Sequence, residues 1–494
     1  MHKLSFTLKA AAMLLASVGL VQCTSKNTPG ADNGNGDVRT LTTTADRSVD
    51  LANGSISFSK PTDTAATITI NPEVRFQEID GFGAAITGST CYNLMQMNEK
   101  ERHDFLVRTF SPSEGYGFSY ARISIGCSDF SMSEYSCCDK PGIENFALTA
   151  EETDYVIPII KEILAINPNL KIMGSPWTPP LWMKVNNPTE KKPHNKWTSG
   201  SLNPDLYAEY AEYFIRWIKA FNDNGINIYS VTPQNEPLNR GNSASCFMSW
   251  QEQCNFIKSA LGPAIQKNTP QVRIYAFDHN YNYDDMDDQH GYPLNIYNDP
   301  EAAKYLAGAA YHNYGGRVEE LDRVHNAAPE KELVFSETSI GTWNGGRDLS
   351  VRLTDDMEEV ALGTVNRWCR GAIVWNLMLD SEGAPNRPGG CRTCFGAVDI
   401  SKDDYSTITL NSHYYILAHM ASVVKPGAIR IASEGVDTEG VTYAAFINPD
   451  GSHSFVICND TDTNLPINVT DGSVNFTCEI PAHAVKSTIW TPAE

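Results

Sequence analysis

The feature that most constrains this chain is a repeated beat, in which a short β-branched or apolar run ends on a polar or aromatic residue and a longer stretch with helical spacing follows. The runs fall at 76–85, 119–125, 170–175, 228–234, 273–277, 307–311, 333–335 and 371–375. Eight is the number that closes a parallel barrel. Between them, 151–167 (Val156, Ile159, Ile160, Ile163, Leu164) and 204–222 (Leu206, Tyr210, Phe214, Trp217, Ile218, Phe221) carry apolar side chains at amphipathic helical spacing. Asn203-Pro204 is a strong helix start, because Asn can cap free amides and Pro at the first position gives up no bond. Alternating strands and helices imply parallel pairing with right-handed crossovers. No short-period repeat is present, which sets aside solenoids and propellers.

After about residue 403 the beat changes to short strands at 428–431, 442–448, 454–458, 465–469, 474–477 and 487–490, with turns such as Pro449-Asp450-Gly451 and Asp471-Gly472 between them. Residues 48–71 also alternate. The expected fold class is therefore α/β, a (β/α)8 TIM barrel with a side-associated all-β sandwich formed from both termini. The expected divisions are a signal peptide (1–22), a lipid-anchored flexible tether (23–45), N-terminal sandwich strands (46–71), the catalytic barrel (72–405) and the C-terminal sandwich (406–494).

A formal net charge of -21 argues against nucleic acid, whose phosphates need a basic face. A neutral glycan is compatible. The apolar run 8–21 after His2 and Lys3 is short for a membrane span and right for a secretory signal. Leu20-Val21-Gln22-Cys23 looks like a bacterial lipobox, with Gln22 where a small residue is usual, so Cys23 is expected to carry lipid. An ordinary cleaved signal is the alternative. An exported bacterial lipoprotein follows, at the cell surface (outer membrane) or in the periplasm, touching the membrane only through its anchor and acting as a monomer. The chain has 12 Cys, and setting Cys23 aside leaves an odd number, so at least one stays unpaired within the chain. Cys246/Cys254, Cys391/Cys394 and Cys458/Cys478 are candidate bridges. Cys391-Arg-Thr-Cys394 lacks the second pair that a zinc site needs.

In such a barrel, reactive groups gather at the C-terminal ends of the strands. Those ends supply Asp129, Trp177, Asn235, Glu236, His312, Tyr314, Glu337 and Trp375. Glycoside cleavage passes through an oxocarbenium-like state and needs one carboxyl to protonate the leaving oxygen and a second at the anomeric carbon. Glu236 and Glu337, after strands four and seven, suit proton donor and nucleophile across the barrel mouth. A carboxyl separation of about 5 to 5.5 Å gives retention and about 6.5 to 9.5 Å gives inversion. Retention is expected, with the Glu236 pKa raised by its like-charged neighbour. Asn235 can bond the sugar 2-OH, and Asp129 can accept sugar hydroxyls or pair internally with Arg122. Trp177 and Trp375 can face sugar C–H groups or pack as core. Tyr314 can orient Glu337, with His312 in support, and Trp343 can line a leaving-group subsite or simply pack in its loop. Asp284, Asp285, Asp287 and Asp288 lack the spacing of a calcium loop. Gly81-Phe82-Gly83 lacks the third glycine of a phosphate motif.

Five ordered segments, QEIDGFGAAIT (77–87), SDFS (128–131), SPWTPPLWMK (175–184), NEP (235–237) and FSE (335–337), resemble glycoside hydrolase family 30 over roughly 70–490. That resemblance implies a retaining barrel enzyme with no metal or other cofactor, Glu236 as acid/base and Glu337 as nucleophile. Its sugar-gripping residues map onto Asp129, Trp177, Asn235 and Trp375, and onto Arg122, His312, Tyr314 and Asn386. Within the family, the segments at 175–180 and 383–386 look nearer to the glucosylceramidase and β-1,6-glucanase branch than to the xylanases. A lipid-anchored bacterial chain favours a polysaccharide, so the expected partner is a β-1,6-glucan of the pustulan type, cut by an endo-β-1,6-glucanase. An exo-acting β-glucosidase or glucosylceramidase, a xylanase, a transglycosylase and a non-catalytic glycan-binding protein are the rival readings.

Overall fold

The computed structural model describes residues 36–281, 286–387 and 389–493. The signal run, Cys23 and the tether as far as residue 35 lie outside the described residues, as do Asp284 and Asp285. Eight parallel strands make one sheet: β1 (Gly81–Ala84), β2 (Tyr120–Ser124), β3 (Lys171–Ser175), β4 (Ser230–Val231), β5 (Arg273–Asn280), β6 (Gly308–His312), β7 (Glu332–Glu337) and β8 (Cys369–Val374). β8 pairs with β1, and a parallel bridge from Ala85 to Arg122 joins β1 to β2, closing the ring.

Two strands depart from expectation. The run at 76–85 is two elements: Ala66–Glu78 belongs to the sandwich, and the chain then turns through Ile79 and Asp80 into β1. Gly81 makes the corner at φ 142°, and a Cβ on Gly83 would lie 1.9 Å from the Tyr120 carbonyl oxygen. The Gly81-Phe82-Gly83 segment thus serves a bend and a close strand contact. β5 continues past Phe277 to Asn280 through a bulge, with Phe277 and Asp278 at φ 72° and 67°.

The amphipathic stretches form α1 (Ile157–Ile166) and α2 (Tyr207–Asp223), each entered through a turn of different pitch, Glu152–Val156 and Pro204–Leu206. Asn203 caps the second by accepting the Asp205 N–H at 3.1 Å, with Pro204 directly after it.

The sandwich strands hydrogen-bond in the order Ala52–Ile56, Val38–Thr44, Ala484–Trp490, His453–Asn459, Val441–Ile447, Ile429–Glu434, Ala66–Glu78, Leu465–Thr470, Asn475–Ile480. Both termini contribute. Their inner faces share a core that includes Val38, Ile68, Phe455, Ile457, Phe476 and Trp490. The expected tether to residue 45 is corrected, because Val38–Thr44 pairs along its whole length with Ala484–Trp490 and buries Val38 and Leu41. The 71/72 boundary also moves, since the third strand runs to Glu78.

The barrel does not end at 405. Helix α3 (Ser412–Val423) is buried on nearly every side between β1 and the sandwich, which explains why its sequence is apolar all round. Its His419 bonds Ser487 Oγ and Thr43 Oγ1, both at 2.9 Å, tying the barrel to strands from the two ends of the chain.

Candidate active site

Arg122, on β2, organises the mouth of the barrel. It is fully buried and donates to Glu337 Oε2, to Asp278 Oδ2 at 2.7 Å, to Asn235 Oδ1 at 2.7 Å and to Ser175 Oγ at 3.2 Å. One planar fork thereby fixes groups from four other strands or strand ends. Asp278 also accepts from Thr232 and Ser336 at 2.7 and 2.6 Å and meets His312 Nε2 at 3.0 Å. The β5 bulge is what turns Asp278 into this cluster.

Glu236 follows β4 at φ 44°, a backbone conformation costly for a residue with a side chain, and is held there by its N–H to the Asp278 carbonyl at 2.9 Å. Asn239 and Asn242 donate to its Oε2 at 2.8 and 2.6 Å, and His312 Nδ1 lies 3.4 Å from its Oε1. Glu337 ends β7, with the Tyr314 hydroxyl donating to its Oε1 at 3.0 Å. Oxygens of Glu236 and Glu337 and a ring nitrogen of His312 all lie within 4.8 Å of one another. Two buried carboxyls therefore face each other across one imidazole.

Burial raises Glu236, but His312, His279 and the Asn239 amide outweigh it and hold the carboxyl low, at about 2. This reverses the expected direction, because the positive imidazole counts for more than the like charge of Glu337. Glu337 is raised, with burial prevailing over His312 and Arg122. Burial works against a charge on His312, yet Glu337, Asp278 and Glu236 together lift it to about 9. The opposed shifts favour the proton on the imidazole over Glu236. Passing it across the 3.4 Å Nδ1–Oε1 contact to Glu236 leaves the net charge of the cluster unchanged.

Asp129 lies near both glutamates, with Oδ1 shielded from solvent and unbonded, and burial with their charges pushes its pKa up to about 8. Arg122 pairs with Asp278 and Glu337, so the internal Arg122–Asp129 pair is not formed. Trp177 and Trp375 stack on each other at 5.0 Å, with the Arg122 guanidinium 4.9 and 5.7 Å from their rings. Both are buried, so they wall the site from within. Asn386 donates to the Gly383 carbonyl at 3.1 Å. Its neighbour Arg387 instead reaches the Ser128 carbonyl at 2.8 Å and Glu134 at 3.0 Å, fixing the loop that carries Asp129.

Sequence reasoning missed Asp278, His279, Asn239, Asn242 and Arg387. The strand-end rule would have found the first two had β5 been read past Phe277, and the asparagines stand three and six residues after Glu236.

Of the proposed bridges, Cys391–Cys394 is formed, while Cys246, Cys254, Cys458 and Cys478 are free and buried. The disulfide also disposes of zinc at that pair. Among the described residues, no helix is long and apolar enough to cross a membrane.

A closed barrel with opposed carboxyls at its mouth and a sandwich at its side defines a glycosidase architecture, and the chain belongs to glycosyl hydrolase family 30. Residues 79–424 match the family's TIM-barrel domain and 427–488 its beta sandwich domain. The chain is similar to the solved endo-beta1,6-glucanase BT3312, with 59% identity and a TM-score of 0.91 over 93% of this chain and 100% of that one. An endo-1,6-beta-D-glucanase of Aspergillus fumigatus is 30% identical over 80% of this chain and 81% of its own length. The lysosomal acid glucosylceramidase of Mus musculus is 28% identical over 90% and 87%.

Proposed function

We propose that the chain is a retaining endo-β-1,6-glucanase in which Glu337 is the nucleophile and Glu236 the acid/base. The observation that carries this is that one oxygen of each carboxyl lies within 4.8 Å of the other, which suits the close spacing of direct attack better than the wider spacing that admits a water. A Glu337 oxygen bonds to the anomeric carbon as the glycosidic C–O bond breaks, and Glu236 gives its proton to the departing oxygen. Glu236, now a base, takes a proton from water while the water oxygen displaces Glu337.

The acid must carry a proton when the glucan arrives, and His312 Nδ1, 3.4 Å from its Oε1, is placed to supply it. Arg122 and Tyr314 keep Glu337 aimed, one donor on each oxygen. Asp129 and the amide of Asn235 supply polar groups for the hydroxyls of the sugar being cleaved. The two glucanase relatives support the β-1,6 linkage.

The experiment is to incubate residues 24–494 with β-1,6-glucan, β-1,3-glucan, glucuronoxylan and glucosylceramide and to identify products. Oligomers of β-1,6-linked glucose from the first alone are expected. Silence there, or cleavage of only glucosylceramide, overturns the assignment. We also propose export as a lipoprotein anchored at Cys23, supported by the apolar run that precedes it. A Cys23→Ala chain released from membranes that retain the wild type is the expected result, and equal retention refutes it.

A further inference from the structure

We propose that Trp343 is a preset stacking platform for a second glucosyl unit of the bound chain, and that the groove beyond it receives further units. Trp343 is 53% exposed, whereas Trp177 and Trp375 are at 2% and 3%. An indole left in water beside a site invites an apolar face. It shares a cavity of about 370 Å³ with Tyr314, Thr338, Ser339 and Asn313, and Tyr314 is the residue that bonds Glu337. A sugar on this indole therefore lies next to the one being cleaved.

The platform is held before any ligand arrives. The six-membered ring of Trp343 fills the space over Gly341, where a Cβ would come within 2.0 Å of Cζ3. Gly341 lies in a short strand, Ile340–Gly341, that pairs antiparallel with Cys394–Phe395, and Cys394 is bonded to Cys391. The Thr342 N–H donates to the Thr393 carbonyl at 2.9 Å, and the Gly341 N–H to Asn344 Oδ1 at 3.0 Å. Arg347 covers the Phe395 ring at 3.9 Å and bonds Asp399 at 2.7 Å. A ring fixed this way loses little freedom on binding.

A second cavity of about 520 Å³ adjoins this one, sharing Asn313 and Glu359 with it and adding Arg317, Glu319 and Arg367. The charges here pair with one another, Arg352 with Asp355 and Asp356, and Arg367 with Glu319 and Asp322. Glu358 and Glu359 stand beyond those pairs and leave the lining net acidic, so an aromatic plate followed by such carboxylates disfavours an anion and suits a neutral chain whose hydroxyls can donate.

This inference rests on the glucan reading, and one substrate series separates the two. Wild type, Trp343→Ala and Trp343→Phe are assayed on β-glucosyl fluoride, which has no second ring to reach the indole, and on β-1,6-linked glucose oligomers from dimer to hexamer. Trp343→Ala should lower kcat/KM about tenfold on the oligomers from the dimer up, through KM, with the glucosyl fluoride within about twofold and Trp343→Phe restoring most of the loss. An equal loss on every substrate, or none, overturns the platform while the glucanase reading stands. If the wild type cleaves a different linkage instead, the β-1,6 reading fails and the same ratio on that glycan decides the platform. A wild type that cleaves nothing overturns both.

Discussion

The two ends of the barrel both gather charged side chains and use them in opposite ways. At the N-terminal end, Asp80 accepts from Lys171 at 2.6 Å, Arg370 at 3.0 Å and Tyr229 at 2.9 Å, while Arg273 and Arg370 also meet Glu332, and Arg370 meets Glu78. Three carboxylates stand against three cations. At the C-terminal end Asp129, Glu236, Asp278 and Glu337 crowd around Arg122 and His312, an excess of acid. Asp80 is lowered although burial opposes it, because Arg370 and Lys171 outweigh burial; Asp129 is raised to about 8 because burial and the charges of Glu337 and Glu236 outweigh Arg387. The balanced end fastens strands, and the unbalanced end holds protons ready to move.

Substitutions at each end should break this contrast differently. The largest effect is expected from Glu337→Gln, which should cut hydrolysis by about 10⁴-fold or more while leaving the thermal midpoint little changed. Glu236→Gln should cost about 10² to 10⁴-fold on glucan but far less on an aryl glycoside whose leaving group needs no proton. Steady-state rates on the two substrates check this, and equal losses would remove Glu236 from the acid role. At the other end Asp80→Asn should cost roughly 1 to 3 kcal/mol by leaving the half-buried Lys171, Arg273 and Arg370 with one carboxylate fewer, with kcat per folded molecule unchanged. Denaturant titration beside an active-site count measures both.

Asp278→Asn sharpens the comparison within the mouth. Removing a carboxylate that helps hold His312 at about 9 should lower that pKa and shift the alkaline limb of the rate profile to lower pH. The smallest effect concerns pH and stability. Asp129 is raised above its ordinary 3.8, so the folded chain keeps that proton longer than the unfolded one. Its contribution is greatest below about pH 4 and is lost as pH climbs towards 8. Asp80, being lowered, behaves conversely, contributing above its ordinary pKa and losing that contribution as pH falls through its folded value. Asp129→Asn should therefore flatten the decline between about pH 4 and 8, as melting across that range would register.

Most of the fold was legible because barrel strands are buried and apolar and helices repeat at their own period. Val38–Thr44 escaped because a threonine-rich segment reads as linker until Ala484–Trp490 lies beside it. Ala66–Glu78 and β1 ran together because only the Gly81 corner divides them. In the site, strand-end position picked out Glu236, Glu337, Asn235, His312 and Tyr314, since each follows directly from register. Asp278 did not, because a bulge is a backbone irregularity that leaves no apolar pattern. Arg387 was passed over because a loop has no periodicity to say which of its side chains points inward.

The most direct measurement is to trap the enzyme with a 2-deoxy-2-fluoro-β-glucosyl fluoride and map the labelled peptide by mass spectrometry. One glycosyl adduct on Glu337, absent from Glu337→Gln, is the predicted result. An adduct on another residue, or steady turnover to the inverted anomer with no adduct, would contradict the pairing of these two carboxyls.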